Sequence, residues 1–519
     1  MQFFAGPLKE LAEYEEIQKK RTEKQGMIQI SGCVTSQKTH LMYALGDGFK
    51  RKIIAVSSEL KAKQIYEEYR FLDSDVWIYP AKDLLFYQAD LRGKFLIKQR
   101  MEVYQALLEQ EQVTVITSFD GFMDSLLPLE EMEKRVISLE AGQELDFEKL
   151  KKDMVLLGYE REEQIEGPGQ FAVRGGILDI YPLTEEVPVR IEMWGDEIDS
   201  IRTFDVESQR SIENLESIRI YPATDFPEEQ AKRVSFLDYF DKKTSMLFLD
   251  EPVRLIEKGE SVEEEFVQAQ ANRMECGYAV SDEEMKLFST KEIADKMNQY
   301  YSIGMSALEM KCKEFKTRGL YHLQAKGVNP YNNSFEMLTR DLKQLKRKGY
   351  RAILLSGSRT RAKRLAEDLR DYNLSSFYSE DVEREVNPGE IMVTYGHVTE
   401  GYEYPMIKFI VISETDIFGQ KKKKRKRKVY EGQKIQSFSE LKVGDYVVHE
   451  NHGLGIYQGI EKIEVDKVSK DYMKIAYAAG GNLYIPATQL DLIQKYASAD
   501  AKKPKLNRLG GQEWTKTKT

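Results

Sequence analysis

The sequence has little with which to build covalent or metal staples. Its three cysteines, Cys33, Cys276 and Cys312, lie far apart without metal-ligand spacing. That excludes a disulfide-stapled fold and fits a reducing compartment. The five histidines are also scattered; only His449 and His452 are close, and two ligands do not make a zinc site. No apolar run approaches the ~18–20 residues of a membrane-crossing helix. The N-terminus is charged from Lys9 onward, with no apolar stretch of signal-peptide type. A soluble, cytoplasmic protein without a membrane partner is expected. An excess of positive charge is missing too, since 77 Lys plus Arg face 86 Asp plus Glu for a net charge of −9. Uniform coating of a nucleic acid is thereby excluded, and any DNA contact has to come from local basic patches.

What is present is length and pattern. A chain of 519 residues is too long for one core and suggests roughly three to five domains. Residues 6–22 read as an amphipathic helix with Leu8, Leu11, Tyr14 and Ile17 on one face. A short strand, Met27–Ile30, leads into SGCVTSQKT and an apolar helix from His40. Strand, loop and helix are the setting of a phosphate-binding loop, whose pattern is G-x-x-x-x-G-K-[ST]. Gly32, Lys38 and Thr39 match it, but Gln37 stands where the second glycine belongs. A Cβ there crowds the phosphates, so the segment is either a vestigial nucleotide fold or a working site. Strands follow at Ile53–Val56, Val76–Tyr79 and Val113–Thr117, with a helix over 58–71. Much later, the apolar strand Met246–Leu249 ends in Asp250-Glu251, the shape of a carboxylate pair that holds magnesium in nucleotide enzymes or simply caps a buried strand. Residues 253–300 read as a long, charged, solvated helical arm.

Between these halves, residues 125–145 read as a linker and a strand, and 146–157 as a helix. Residues 171–209 read as a compact antiparallel sheet with strands Phe171–Val173, Ile177–Ile180, Val189–Met193 and Ile198–Phe204. Gly175-Gly176 and Gly195-Asp196 supply turns. Arg174 and Arg190 sit beside turns or on strands, where they serve either a partner or an internal ion pair with Glu192 or Asp196. A second α/β unit starts near 335, with strands Ala352–Leu355, Ile391–Thr394 and Phe409–Ser413 and a helix Thr360–Leu369. The Gly357 turn at that helix start is either an anion site or an ordinary strand-to-helix connection. Residues 421–428 are eight consecutive cations, a self-repelling linker that could also touch DNA phosphates. Leu441–Ile493 reads as about five short strands with glycine turns, with Tyr446, Val448, Ile456, Ile475 and Leu483 as core and Gly459–Val465 as an exposed edge.

The words VRGGILDIYP and VRIEMWGDEIDSIRTFD closely resemble the domain with which UvrB and the bacterial transcription-repair coupling factors bind UvrA. The segment after Tyr79 is short and enters a helix carrying Lys98 and Arg100, where UvrB opens a damage-probing hairpin. EGYEYPMIKFIVISETDIFG resembles the third domain of the coupling factors, and VGDYVVHENHGLGIYQGIEKIEV resembles CarD and their polymerase-interacting domain. The order of these modules is that of the N-terminal half of the coupling-factor family. The resemblance implies a multidomain α/β protein, RecA-like and UvrB-like, with an inserted α+β domain and a small C-terminal all-β domain of Tudor/CarD-like type. Its divisions are 1–124 and 220–325 for the UvrB-like module, 125–219 for the UvrA-binding insert, 326–419 for the third domain, 420–436 for a basic linker, 437–497 for the polymerase-interacting domain and 498–519 for a second linker.

The resemblance further implies UvrA contact through Arg174, Arg190 and Trp194, and contact with the RNA polymerase β subunit through Ile463, Tyr457 and Lys462. Gly32, Gln37, Lys38, Thr39, Asp250 and Glu251 mark a degenerate nucleotide site. No cofactor is expected on this chain. ATP, magnesium and most duplex DNA contact belong to the family's motor domains, whose motifs are missing from these residues, so the chain by itself is not expected to be an enzyme. The competing readings are a UvrB-like ATPase using Lys38, Thr39, Asp250 and Glu251, and a CarD-like transcription regulator.

Overall fold

The computed structural model describes residues 2–82, 94–224, 233–275, 287–419, 432–434, 443–449, 453–465, 468–478, 481–486, 493–496 and 506. Its first unit is a seven-stranded sheet in the order Thr317–His322, Gly26–Ser31, Tyr301–Met305, Ser245–Asp250, Arg51–Val56, Val113–Ser118 and Val76–Tyr79. Every pairing in it is parallel. Helices cover both faces, which is why its inner strands read as unbroken apolar runs instead of alternating ones. The chain leaves this sheet after Ser118 and rejoins it at Ser245, so the intervening unit is an insertion.

The insert is a six-stranded sheet in the order Ser211–Leu215, Glu197–Phe204, Val189–Trp194, Ile177–Tyr181, Gln170–Arg174 and Glu160–Glu162. All its pairings are antiparallel except the last. One face buries Phe171, Leu178, Ile180, Val189, Ile191, Ile198 and Ile201 against the Phe147–Leu156 helix. The insert combines this sheet with a helix and has two short edge strands that polar sequence had hidden.

The third unit has four parallel strands, Phe409–Ile412, Arg351–Ser356, Ile391–Tyr395 and Ser376–Tyr378, extended at one edge by antiparallel Tyr402–Tyr404 and Lys326–Gly327. One sheet face carries Leu354, Ile391 and Val393 under the Phe335–Arg347 and Arg359–Asp371 helices. The other face, with Ile353, Leu355, Met392 and Val411, joins one continuous core with Leu8, Ile17, Leu41 and Ile65 of the first unit. The last sheet is small and antiparallel, in the order Gly432–Lys434, Ile493–Tyr496, Tyr446–His449, Gly453–Val465, Val468–Ala476 and Asn482–Pro486.

Several expectations need correction. The N-terminal helix is broken. A 3-10 turn Gly6–Glu10 ends at an extended Leu11, and a helix Ala12–Lys20 restarts. The stripe Leu8, Leu11, Tyr14 and Ile17 is nonetheless buried as read. The helix after the Gly32 loop starts at Thr35, not His40. The solvated arm is two helices, Pro252–Glu275 and Thr290–Met297, that bury Leu255, Ile256, Val262, Ile293 and Met297. Arg100, on the helix read after Tyr79, is buried, donates to Asp124 and lies 4.6 Å over the Tyr79 ring. The 421–428 cation run lies outside the described residues.

Candidate docking sites and the Gly32–Thr39 loop

The loop between Gly26–Ser31 and the Thr35–Leu45 helix has the strand–loop–helix setting read from the sequence. Gly32 has φ +79°, and a Cβ there would lie 2.3 Å from the Leu323 carbonyl oxygen and 2.8 Å from the His322 ring. The glycine is therefore required by the 322–323 turn packed on it. Gln37 is fully buried, and its Oε1 accepts from the Val34 N–H at 3.1 Å. It caps its own helix with an acceptor that occupies the place of an anion. Lys38 Nζ donates to Asp250 Oδ1 at 2.7 Å and to Glu251 Oε1 at 2.6 Å. Burial works against its charge, but the two carboxylates outweigh burial and hold the ammonium above its ordinary value. Glu251 reaches back because its own backbone turns through φ +53°, and the same Oε1 accepts from the Ala307 N–H at 2.9 Å.

Thr39, which would face a metal in a working loop, instead donates to Glu68 Oε2 at 2.6 Å. Ser36 donates to Glu68 Oε1 at 2.7 Å, and the Thr399 N–H of the third unit joins that oxygen at 2.9 Å. The Glu400 N–H closes the arrangement on Ser36 Oγ at 3.2 Å. Of the six residues read as a nucleotide site, Lys38, Asp250 and Glu251 meet, while Gly32 packs on the 322–323 turn, Gln37 caps its own helix and Thr39 turns to Glu68. These residues do not fit a magnesium nucleotide. Sequence reading missed Glu68, for a lone glutamate inside the charged helix Glu59–Leu72 carries no signal that it turns inward.

In the insert, strand alternation puts Arg190, Glu192 and Trp194 on the sheet face opposite the core. Register places Asp179 between the arginine-bearing strands, opposite Ala172 on one side and Arg190 on the other. Asp179 is 2% exposed. It accepts from Arg190 Nε at 2.6 Å, and from Arg174 and the second Arg190 nitrogen through its other oxygen. Arg190 also donates to Gln209 Oε1 at 2.9 Å and stacks 4.4 Å over the Phe204 ring. Hydrogen bonding to Asp179, opposed by burial, holds its guanidinium above the ordinary value. The internal partner of both arginines is therefore Asp179, not Glu192 or Asp196; Glu192 pairs with Arg202. Asp179 could have been found as the one charge in ILDIY that alternation sends to the arginine face. Trp194 stands at the tip of the hairpin, beside the Gly195 turn, and is 81% exposed.

A family model described as the UvrB interaction domain matches residues 137–226, and one described as the CarD-like/TRCF RID domain matches residues 441–497. The transcription-repair-coupling factor of Bacillus subtilis is 29% identical across 94% of this chain and 47% of its own length. Those of Staphylococcus epidermidis and Staphylococcus aureus (strain MRSA252) are 28% and 27% identical across 86% of this chain and 43% of their own. Over most of its length the chain is homologous to transcription-repair-coupling factors. It spans less than half the length of these relatives.

The second match falls on the small sheet. There Gly459–Val465 pairs with Lys474–Val468 on one side only; the neighbouring Tyr446–His449 strand reaches no further than Ile456. Among the described residues its other side has no strand partner. It carries Lys462 and Ile463, whose side chains lie outside the described residues. Tyr457 is a correction: its side chain is 6% exposed, so it is core and not contact surface. Val448 and Ile475 are buried as read, whereas Tyr446, Ile456 and Leu483 are only partly covered. Among the described residues no cluster of three potential metal ligands occurs, and no helix is long and apolar enough to cross a membrane.

Proposed function

We propose that this chain is a docking platform for transcription-coupled repair, with no nucleotide cycle of its own. The insert receives UvrA and the small β domain receives the RNA polymerase β subunit. The observation that carries the reading is Trp194, a large apolar side chain left in water on the same sheet face as two arginines already oriented by a buried carboxylate. An exposed tryptophan flanked by held guanidiniums has the composition of an interface hot spot, and arginine suits a carboxylate on the partner. The first sheet is read as RecA-like, its loop as a relic, and the divisions at 124, 219, 325, 419, 436 and 497 as domain boundaries. ATP, magnesium and duplex DNA translocation belong, in this reading, to the part of the relatives beyond the matched half, and the setting is the cytoplasm.

Separate pull-downs with purified UvrA and RNA polymerase test the two surfaces. Trp194→Ala should weaken UvrA binding by about 2 kcal/mol or more and leave polymerase binding intact. Ile463→Arg should remove about 1.5–3 kcal/mol of apolar burial on the polymerase side and leave UvrA binding intact. Unchanged UvrA binding by Trp194→Ala would place that surface elsewhere, and a lowered melting temperature in Ile463→Arg would make Ile463 core.

A further inference from the structure

In the third unit, the adjacent parallel strands Arg351–Ser356 and Ile391–Tyr395 send the chain to opposite faces. After Ser356 the chain enters the Arg359–Asp371 helix, whose Leu365 and Leu369 pack with Leu354 and Val393. After Tyr395 it turns the other way and buries Val398 with Ile353 and Leu355. Such a reversal opens a crevice beyond the carboxyl ends of the strands, the usual place for a ligand in an open α/β sheet. A crevice of about 570 Å³ lies there, with Arg70 and Phe71 of the first unit along its other side. Its size is that of a small-molecule site.

One wall is aromatic. Tyr395, 39% exposed, meets Phe71 edge-on at 6.0 Å. Phe71 comes this close because residue 396 is glycine; a Cβ there would lie 2.5 Å from its ring. The rim carries two arginines, each paired with a glutamate: Arg359 is stacked 4.9 Å over Tyr395 and paired with Glu380 at 2.8 Å, Arg70 lies 3.5 Å from Glu67, and His397 is exposed just past the Ile391–Tyr395 strand. Both ion pairs stand in solvent, so an incoming anion displaces their carboxylates at small cost. The helix start itself is not the receptor, because Glu414 already accepts from the Gly357 N–H at 2.5 Å and from Ser356 Oγ at 3.2 Å. A bare anion would leave the aromatic wall idle, and a bare ring would leave the arginines idle.

We propose that this crevice binds a nucleoside phosphate, its base against Tyr395 and Phe71, its phosphate on Arg359 and Arg70, and its sugar hydroxyls toward Glu380. The unit is either a free mononucleotide or one nucleotide of a single strand. The site is separate from the Lys38 loop and from both docking surfaces.

Equilibrium dialysis of the whole chain tests it with AMP, with an oligothymidylate of about eight nucleotides, and with inorganic phosphate. Saturable binding of AMP or of the oligonucleotide is expected, and whichever binds identifies the source. Arg359→Glu and Tyr395→Ala alter exposed side chains, so circular dichroism should match the parent while binding weakens at least about tenfold. Lys38→Met should bind as the parent does. The proposal is overturned by no saturation with either nucleotide probe at millimolar concentration, by inorganic phosphate binding as tightly as AMP, or by binding that survives Arg359→Glu and is lost in Lys38→Met with its fold retained.

Discussion

His40 is the residue at which chemistry and packing are most tightly joined. Its Nε2 donates to the Phe4 carbonyl oxygen at 2.8 Å, which leaves Nδ1 to accept from the Tyr404 hydroxyl at 3.1 Å. Stacked on Tyr402 and fully buried, the neutral ring is satisfied, and burial pushes its pKa down to about 4. The unfolded chain takes up a proton near the ordinary value of about 6.5, whereas the folded chain refuses it until about 4. This contribution is complete above about 6.5 and falls away as pH drops toward 4, by about 3 kcal/mol in all. Urea titrations between pH 7 and 4 should show that decline, flattened in His40→Gln; an unchanged slope would show that His40 is not the titrating group. Asp179 makes the second residue-scale case. Removing it strands a largely buried Arg190, so Asp179→Ala should cost about 2–3 kcal/mol. Trp194→Ala, at an exposed tip, should move the melting temperature very little. That contrast separates loss of UvrA binding from loss of fold, which Arg190→Ala alone does not.

At the scale of elements, the start of the Thr35–Leu45 helix is part of a clasp. The Thr35–Leu45 helix, the Glu59–Leu72 helix and the 399–400 turn converge on the Glu68 carboxylate, and Arg351 adds an ion pair to Glu10 at 2.6 Å. Glu68, Ser36 and Thr39 are all buried, so both hydroxyls would lose their acceptor away from water. Glu68→Ala should therefore destabilise by about 2–4 kcal/mol. The amides of Thr399 and Glu400 should lose hydrogen-exchange protection before those of the central strands. Equal protection in variant and parent would mean that the shared apolar core alone holds the third unit. Much of this scale was readable in advance. Buried parallel strands such as SMLFLD announce themselves as apolar runs, and the insert's strands as alternation. The break at Leu11 was not readable, because periodicity of a face continues across a change of helix type.

At the scale of the whole molecule, the first and third units share one hydrophobic core, while the insert keeps its own. In the first unit the lysine and threonine of the Gly32–Thr39 loop are both held by protein carboxylates. ATP turnover should therefore be absent. Gln37→Gly restores the motif but leaves Lys38 held by Asp250 and Glu251 and Thr39 held by Glu68, so phosphate release should stay at background. Steady release by the parent or by Gln37→Gly, abolished in Lys38→Met, would overturn this.

What the residues alone determine here is local and combinatorial. Apolar periodicity sets the elements, Gly195-Asp196 sets the hairpin, and word-level resemblance sets the order of modules and suggests where the two proposed docking surfaces lie. Gln37 by itself already argues against a phosphate. Only the tertiary structure decides which charges meet. Asp179 under two arginines, Glu68 beneath Ser36, Thr39 and Thr399, and Tyr395 beside Arg359 join positions that are distant in the chain or on facing strands. An ion pair is fixed by register and packing, and neither is written in the spacing of the residues that form it.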